Sequence, residues 1–245
     1  MQKLRFIFII FCFVFAFASC HTSYQSQSVK YKKYQITKAE NADNNLSALI
    51  KPYADSVNKS MNDVIGYADI TLERKMPEST LGNLMADMMK EIAEKHYNMK
   101  VDVAVMNIGG IRLNSIAAGA ITRGKIFELS PFDNIVVLQK LTGKQLQSFL
   151  DHTASKGGWP VAGVAMQIKN KQAANVKVNN VSIDVNATYT LAVLDYVANG
   201  GDDAAMLRTI PQINNGYLYR DGIIEFIRTH KNISAKIENR VTNAE

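Results

Sequence analysis

The sequence predicts an α+β fold in which helices cover mixed sheets, and three observations lead to this prediction. Apolar residues recur at helical spacing in several segments, short β-branched runs lie between those segments, and glycine-rich turns follow some of the runs. The 245 residues are 47% hydrophobic and 20% charged, which is typical of a globular chain with a sizeable core. The basic residues are scattered rather than clustered with aromatics, so nucleic-acid binding is disfavoured despite a net charge of +6.

The first twenty residues have the pattern of a targeting signal. Two basic residues precede an apolar run at 6–18, which is shorter than the roughly 20 residues of a membrane-spanning helix. The segment ends like a bacterial lipoprotein signal, in which Cys20 is lipidated and becomes the first mature residue; a cleaved signal with an incidental cysteine is the alternative. We therefore expect a lipoprotein signal peptide at 1–20, a tether at 21–40, one domain at 41–245 and a lipid anchor in the bacterial cell envelope, periplasmic or surface.

Helical periodicity predicts the main helices. One begins near Asn45, and a second spans Thr80–Tyr97 with Ser79 as its N-cap. Further helices are predicted at 145–153 and 221–229, and residues 121–127 form either a short helix or an extended link. The second helix is expected to bury Leu81, Leu84, Met85, Met88, Met89 and Ile92.

Apolar and alternating runs predict the strands. These runs lie at 64–72, 103–105, 135–141, 164–168, 176–178, 189–193 and 234–241. A glycine-rich loop at 199–202 follows the sixth of them. Strands that alternate irregularly with helices favour mixed sheets over a purely parallel one.

The most informative stretch is VDVAVMNIGGIR at residues 101–112. Its apolar run predicts a buried strand that delivers polar groups to the edge of a sheet. Gly109 and Gly110 allow the backbone to turn sharply and a ligand to approach its amides. Arg112 then presents a planar charged group suited to a phosphate or a carboxylate. Alone, the stretch also fits a strand-ending turn with a surface arginine.

Four motifs extend this interpretation, namely ESTLGNL at 78–84, NIGGIR at 107–112, PFDN at 131–134 and DYVANGGD at 195–202. Each motif alone is weakly specific, but in this order and spacing they closely resemble the C-terminal domain of the bacterial and animal 5′-nucleotidase family over roughly residues 65–241. The resemblance implies a layered α/β/β/α domain that recognises a nucleotide or nucleoside. It also implies that two aromatic rings enclose the base and that an aspartate binds the ribose hydroxyls.

Carried over residue by residue, the resemblance implies that the two rings are Phe132 and Tyr196 and that the ribose carboxylate is Asp202. Asn107 and Arg112 are expected to contact the base, the ribose or the phosphate. A flat apolar base with polar edges suits two facing rings, and a carboxylate can accept from two adjacent hydroxyls.

Other positions match the family less closely. Asn134 matches a base-contacting residue, and a pocket glycine matches Gly157 or Gly158, of which we select Gly158. Lys75 stands where the family often has a phosphate-binding arginine, so the charge is kept but the planar fork is lost. Tyr196 replaces the more frequent phenylalanine. The predicted substrate-binding set is Lys75, Asn107, Gly109, Gly110, Arg112, Phe132, Asn134, Gly158, Tyr196 and Asp202.

Chemistry is expected to come from elsewhere. In the family a separate N-terminal domain holds two catalytic metals, and none of the four histidines here lies in such a ligand pattern. The sequence also lacks a G-x-S-x-G elbow and a phosphate-binding P-loop. We therefore assign no catalytic or metal-binding residue and expect no cofactor in this chain, with divalent metals only in a partner phosphatase.

Three hypotheses remain open from the sequence. The first is the nucleotide-recognition part of a 5′-nucleotidase-type phosphate-ester hydrolase that works with a separately encoded metallophosphatase. The second is a non-catalytic envelope lipoprotein that captures nucleosides, and the third is a scaffold that has kept the fold and lost the ligand. In the first two the partners are a nucleotide or nucleoside and the membrane, not nucleic acid.

Overall fold

The order of strands in a central sheet positions the rest of the domain. The computed structural model describes residues 43–244 together with residues 24, 28 and 30–34. The helices are α1 Asn44–Met61, α2 Thr80–Tyr97, α3 Arg123–Leu129, α4 Gly143–Ser155, α5 Asp195–Ala198 and α6 Tyr219–His230. The strands are β1 Val64–Ala68, β2 Leu72–Glu73, β3 Val103–Val105, β4 Ser115–Ile116, β5 Gly119–Thr122, β6 Val136–Thr142, β7 Val161–Ala162, β8 Val164–Lys169, β9 Gln172–Val178, β10 Val181–Ser182, β11 Thr188–Leu194, β12 Gln212–Ile213, β13 Asn232–Ile233 and β14 Val241–Asn243.

Within residues 43–244 the strands form four sheets. The largest has the order β12-β6-β11-β3-β7, in which β3 runs parallel to β11 and β6 runs antiparallel to it. The other sheets have the orders β10-β9-β8-β14, β13-β1-β5 and β2-β4. Parallel and antiparallel pairs therefore occur together, which confirms the predicted α+β class with mixed sheets.

The five-stranded sheet separates two hydrophobic cores. Along β6, Val137 and Leu141 belong to one core while Val136 and Leu138 belong to the other, because successive side chains of a strand point to opposite faces. The core that contains Val136 and Leu138 includes the buried residues of α2 and α6. The core that contains Val137 and Leu141 includes those of α4 and of the four-stranded sheet. Both faces of the central sheet are thus covered, and its ends are left to carry loops.

Helix α2 has the predicted bounds. It begins after Ser79, whose Oγ accepts a hydrogen bond from the backbone N–H of Gly82 at 3.1 Å. It ends at Asn98, which adopts a left-handed conformation with φ 49°. All six apolar residues expected on its inner face are buried. The cap and the periodicity were therefore sufficient to define this helix.

The predicted strand at 234–241 is wrong as a single element. The structure has two short strands, β13 and β14, with no regular structure between Ile233 and Val241. The carboxylate of Glu78 accepts the backbone N–H groups of Glu238 and Arg240 at 2.8 and 3.0 Å. Because a side chain takes these donors, the segment needs no neighbouring strand to satisfy them.

Two other predicted segments are divided. The strand at 64–72 is interrupted into β1 and β2. Residues 121–127 contain the end of β5 and the start of α3, which begins after the Thr122 side chain caps the N–H of Lys125. The two alternatives left open for this segment therefore each describe one part of it.

Helix α1 confirms the predicted N-terminal helix, but none of its residues is buried.

In the part of the chain that the structure describes, no helix has both the length and the apolar content needed to cross a bilayer. The predicted signal at 1–20 and its lipidation site, Cys20, lie outside the described residues. Residues 49–245 form a compact unit that contains the sheets and the site described next.

Candidate functional site

A cavity of about 340 Å³ opens at one edge of the five-stranded sheet. Its volume lies at the lower end of the roughly 300–1,000 Å³ that is typical of small-molecule sites. Eight of the ten predicted site residues line it, and they come from three separate segments of the chain. The lining residues are Asn107, Gly109, Gly110, Arg112, Phe132, Asn134, Tyr196 and Asp202.

Strand direction explains why these segments meet. The parallel strands β3 and β11 end at Val105 and Leu194, and the antiparallel strand β6 begins beside them at Val136. The residues that follow β3 and β11 and those that precede β6 therefore lie at the same edge of the sheet. This arrangement brings NIGGIR, PFDN and DYVANGGD to one cavity.

The carboxylate of Asp202 is held by two side chains of the cavity. The Asn107 amide donates from Nδ2 to Oδ2 at 2.6 Å, and the Tyr196 hydroxyl donates to Oδ1 at 3.0 Å. The backbone N–H of Asp202 donates back to the same hydroxyl at 3.3 Å. Each carboxylate oxygen retains lone pairs for a further donor. The two side chains thus orient the carboxylate and leave it able to accept further hydrogen bonds from a ligand.

The loop that carries Asp202 has an unusual backbone. Gly200, Asp202 and Asp203 have φ values of 90°, 50° and 65°, all in the left-handed region. A Cβ atom on Gly201 would lie 2.5 Å from ring atoms of Tyr196, so the loop packs directly against that ring. The loop therefore needs its glycines for both its turn and its contact with Tyr196.

The loop receives outside support from α4. The carbonyl of Asp202 lies 2.9 Å from Nε2 of His152, and the Lys156 ammonium lies 2.7 Å from Oδ2 of Asp203. The hydrogen bond and the positive charge of Lys156 lower the pKa of the Asp203 carboxyl below its usual value. Asp203 is therefore ionised at neutral pH on the outer side of the loop.

Asn107 is 3% exposed and lies beside the glycine turn at Ile108–Gly110. Its Oδ1 atom is buried and accepts no hydrogen bond, whereas its Nδ2 is used by Asp202. A Cβ on Gly110 would lie 2.5 Å from Met106 and 2.9 Å from Asn107 Oδ1, so a larger residue there would displace these groups. A Cβ on Gly109 would meet nothing closer than 3.7 Å. Packing therefore leaves no room for a side chain at Gly110, whereas Gly109 has space on the side of the cavity.

Phe132 and Tyr196 present aromatic surface at the cavity, and each is 46% exposed. Both rings line the cavity and are therefore available to contact a ligand there. The Arg112 guanidinium lies 5.5 Å from the centre of the Phe132 ring, in cation–π range, and donates to the Gly109 carbonyl at 3.3 Å. A planar cation and two rings therefore border the same space as the Asp202 carboxylate.

Arg220, on α6, holds the segment that carries Phe132. This 8% exposed guanidinium donates to the carbonyls of Pro131 and Phe132 at 3.0 and 3.3 Å and pairs with Asp133. It also lies 4.3 Å from the centre of the Phe127 ring. Sequence reasoning missed Arg220, because nothing local distinguishes it from another polar residue at the start of an amphipathic helix.

Asp195 is a second residue that the sequence reasoning missed. Its Oδ1 accepts the backbone N–H of Ile135 at 3.0 Å and that of Tyr196 at 2.9 Å. It therefore links the segment that carries Asn134 to the segment that carries Tyr196. Its place at the start of the DYVANGGD motif and its position directly after β11 were the available signals, and neither indicates a link to Ile135.

Two of the predicted residues are not brought to the cavity. Lys75 is exposed and pairs with Glu73 at 2.6 Å. Gly158 is buried, and a Cβ there would meet Pro77, Ile168 and Val241 at 2.9 to 3.1 Å, so its place is in the interior packing. Its φ of 92° gives a backbone reason for glycine at this position.

The neighbour of Lys75 also has a structural role. Arg74 donates from its two terminal nitrogens to the Ile111 carbonyl and the Asn114 side chain, both at 2.6 Å. Its guanidinium therefore fixes the turn that follows NIGGIR.

Among residues 43–244 no group of three or more His, Cys, Asp or Glu side chains is arranged to hold a metal ion.

Comparison with known proteins shows that the chain is similar to part of several 5′-nucleotidases. A 5′-nucleotidase of Vibrio vulnificus is 30% identical over 202 residues, which are 78% of this chain and 35% of that protein. A 5′-nucleotidase of Vibrio parahaemolyticus is 29% identical over 85% of this chain and 37% of its own length. The structure of a 5′-nucleotidase precursor from Thermus thermophilus aligns with a TM-score of 0.72 and 28% identity, covering 81% of this chain and 43% of that one.

The chain thus spans less than half the length of these relatives. Haemophilus influenzae NAD nucleotidase, at 20% identity and a TM-score of 0.64, shares the fold. The family described as 5′-nucleotidase, C-terminal domain matches residues 57–209, which include all eight lining residues and most of the chain. The chain therefore belongs to the family of 5′-nucleotidase C-terminal domains.

Proposed function

We propose that this chain recognises the nucleoside part of a substrate for a 5′-nucleotidase-type phosphate-ester hydrolase. The observation that carries the proposal is that the Asp202 carboxylate, oriented by Asn107 and Tyr196, shares one cavity with two half-exposed rings. Together these groups match a flat base joined to a sugar diol. Family membership supports the same assignment.

Each group has a distinct physical role in this proposal. Phe132 and Tyr196 stack on the base, and such stacking contributes about 1–3 kcal/mol per base. Asp202 accepts hydrogen bonds from the two ribose hydroxyls through its remaining lone pairs. Asn134 contacts the edge of the base, and Arg112 supplies a planar cation for a base edge or a phosphate.

The hydrolytic step is proposed to occur on a separate metallophosphatase polypeptide. The chain corresponds to 35–43% of the length of the 5′-nucleotidases it resembles, and this part carries the cavity. Two divalent metals in the partner would activate water and stabilise the charge of the transition state. We further propose that Cys20 is lipidated and holds the chain at the bacterial cell envelope, where both proteins act on the same nucleotide.

Calorimetry with the purified chain tests the binding proposal. Four ribonucleosides and their 5′-monophosphates are titrated into the wild type, Phe132→Ala and Tyr196→Ala. Each variant is expected to lose at least tenfold in affinity, corresponding to about 1.4 kcal/mol of lost stacking. Tyr67→Ala removes a ring of similar exposure, 52%, from β1 and is the matched control. Unchanged affinity in both site variants would contradict the proposed site.

A phosphate-release assay tests the partner proposal. The chain alone, with Mg²⁺ or Mn²⁺ and a nucleoside monophosphate, is expected to release no phosphate. Addition of a metallophosphatase encoded beside it should give release that depends on both proteins. Metal-dependent turnover by the isolated chain would refute the division of labour.

A second function, capture of nucleosides without hydrolysis, is favoured by one observation. Arg74 is engaged by Ile111 and Asn114, and Lys75 by Glu73, so neither cation is directed at a ligand phosphate. On this alternative, a nucleoside and its monophosphate bind equally well, and Arg112→Ala leaves that ratio unchanged. A clear preference for the monophosphate that Arg112→Ala abolishes would favour the hydrolase assignment.

A further inference from the structure

We propose that His152 is a positioning residue, which holds the backbone of Asp202 so that its carboxylate faces the cavity and thereby sets the affinity for the sugar of the ligand. The proposal rests on the nucleoside site described above and adds to it a residue that does not line the cavity. It follows from the conformation of the 200–203 loop, from one hydrogen bond and from the packing of the histidine ring.

The loop adopts a conformation that its own residues disfavour. Asp202 has φ 50° and ψ 36°, and Asp203 follows with φ 65°. Left-handed backbone is costly for any residue with a Cβ, although aspartate tolerates it better than most. Two such residues in succession cost conformational free energy, which contacts around the loop can offset. An external contact on the loop backbone would therefore help to hold it.

His152 supplies that contact. Its Nε2 lies 2.9 Å from the carbonyl oxygen of Asp202. Because a carbonyl can only accept, the imidazole must carry a proton on Nε2 for this bond to form. The bond acts on the backbone of Asp202, whereas Asn107 and Tyr196 act on its carboxylate. Different side chains therefore hold the backbone and the carboxylate of Asp202.

The histidine itself stands on a rigid base. It lies in the last turn of α4, next to the fully buried side chains of Phe149 and Leu150. Its ring also packs edge to face on Trp159, with ring centres 5.5 Å apart and planes at 90°. Trp159 is 2% exposed and is the single tryptophan of the chain. A ring anchored in this way can hold a loop in place.

Lys156 provides a matched comparison one turn further along. It pairs with Asp203, but its side chain is 41% exposed and that of Asp203 is 81% exposed. Exposed ion pairs contribute little to holding a conformation. Loss of Lys156 should therefore leave Asp202 in place, whereas loss of the His152 donor should release it.

The experiment compares His152→Leu, His152→Gln and Lys156→Met in the full chain. The wild type is first titrated with adenosine, guanosine, cytidine and uridine. The nucleoside that it binds with the highest affinity, and the free base of that nucleoside, are then titrated into each variant by calorimetry. Glutamine keeps a donor at the same distance from the backbone, whereas leucine removes it. We expect His152→Leu to weaken nucleoside binding about tenfold or more, and His152→Gln to restore most of it. Lys156→Met should stay within about twofold of the wild type.

The free base separates positioning from general damage. Because the base does not use Asp202, its affinity should stay within about twofold in His152→Leu. Equal losses for nucleoside and base would show that His152 only supports the fold. No loss for either would overturn the proposal, as would a failure of His152→Gln to recover affinity.

Amide hydrogen exchange tests whether His152 holds the loop without relying on ligand binding. A failure of this inference can therefore be distinguished from a failure of the proposed function. Residues 199–205 are expected to exchange faster in His152→Leu than in the wild type or His152→Gln. If the wild type binds no nucleoside, the proposed function fails, and the claim about affinity fails with it. If nucleosides bind but exchange in the loop is the same in all variants, His152 does not hold the loop and the inference is overturned.

Discussion

The Nδ2 atom of Asn107 lies 2.6 Å from Oδ2 of Asp202, although the two residues are 95 positions apart in the chain. Asn107 follows β3, and Asp202 lies in the loop beyond the short helix that follows β11. Their contact exists because these two strands are parallel neighbours in the central sheet. The contact orients the one carboxylate that the proposed site assigns to the sugar.

Asn107→Asp should test this contact through charge. It replaces a donor by a carboxylate directed at Asp202, and like charges at this distance disfavour each other. We expect a loss of about 1–3 kcal/mol in the free energy of unfolding and more than a tenfold loss of nucleoside affinity at pH 7.

Chemical denaturation and calorimetry at pH 7 measure these effects. Asn114→Asp is the matched control, because the Asn114 oxygen already accepts from Arg74 and a carboxylate there would face a cation. An Asn107→Asp variant with wild-type stability and affinity would show that the contact has no part in orienting Asp202.

Tyr196→Phe should separate the two roles of the tyrosine. The ring remains for stacking, but the hydrogen bond to Asp202 is lost. We expect nucleoside affinity to fall about three- to tenfold, corresponding to one hydrogen bond, and free-base affinity to be unchanged. Calorimetry with both ligands distinguishes this from a stacking defect, in which both affinities fall together.

Arg220→Met should loosen the segment that carries Phe132. The variant removes the donor to the carbonyls of Pro131 and Phe132 and leaves Asp133 unpaired. We expect the free energy of unfolding to fall by about 1–3 kcal/mol and base affinity to fall with it. Urea titration and calorimetry provide the two readouts.

Arg228→Met gives the comparison for that prediction on the same helix. Its guanidinium pairs with Asp63 at an exposed position, so the expected cost is about 0–1 kcal/mol. If the two variants lost equal stability and equal affinity, Arg220 would have no special relation to Phe132.

Adjacent glycines offer a paired test of packing. Gly110→Ala places a methyl group 2.5 Å from Met106 and 2.9 Å from Asn107, so we expect a loss of about 1–3 kcal/mol of stability. Gly109→Ala meets only ordinary contacts, so stability should change by less than about 0.5 kcal/mol while the cavity beside Asp202 narrows. Thermal unfolding measures the stability of both variants, and nucleoside titration measures their affinity. Equal stability and equal affinity in the two variants would contradict the different packing assigned to Gly109 and Gly110.

Glu225 makes stability depend on pH at a place remote from the cavity. Hydrogen bonds from Lys95 at 2.6 Å and from the Tyr217 hydroxyl at 2.5 Å lower the pKa of Glu225 to about 2. A carboxyl whose pKa is lower in the folded state stabilises that state above its unfolded pKa of 4.5, and this contribution disappears as the pH falls toward 2. Burial and the neighbouring Glu225 charge raise the pKa of Tyr217 in turn.

Glu225→Gln should therefore flatten the acid limb of the stability profile. The difference between wild type and variant in unfolding midpoint should be largest at pH 6 and should shrink between pH 4.5 and 2. Calorimetric scans across this range measure it, with Glu128→Gln, which breaks only a surface pair with Lys125, as the control. A difference that is independent of pH would contradict the assigned cause.

Local patterns were enough to predict much of the fold. Helix α2 has its predicted bounds because a capping serine and an apolar stripe are both encoded within about twenty consecutive residues. Most of the central strands were predicted because a buried run of β-branched residues carries its own signal. The strand predicted at 234–241 failed because a distant carboxylate, that of Glu78, takes the backbone donors that a sheet would have used.

The sequence by itself determined which residue types the chain offers to a ligand, since the motifs that contain Asn107, Phe132, Tyr196 and Asp202 are short stretches of consecutive residues. Only the tertiary structure decided that these residues share a cavity while Gly158 and Lys75 do not line it. It also brought Arg220 to the carbonyl of Phe132 and His152 to the carbonyl of Asp202, across 88 and 50 positions of the chain. The physical reason is that helix periods and caps arise from neighbouring residues, whereas these contacts depend on strand order and direction in the central sheet.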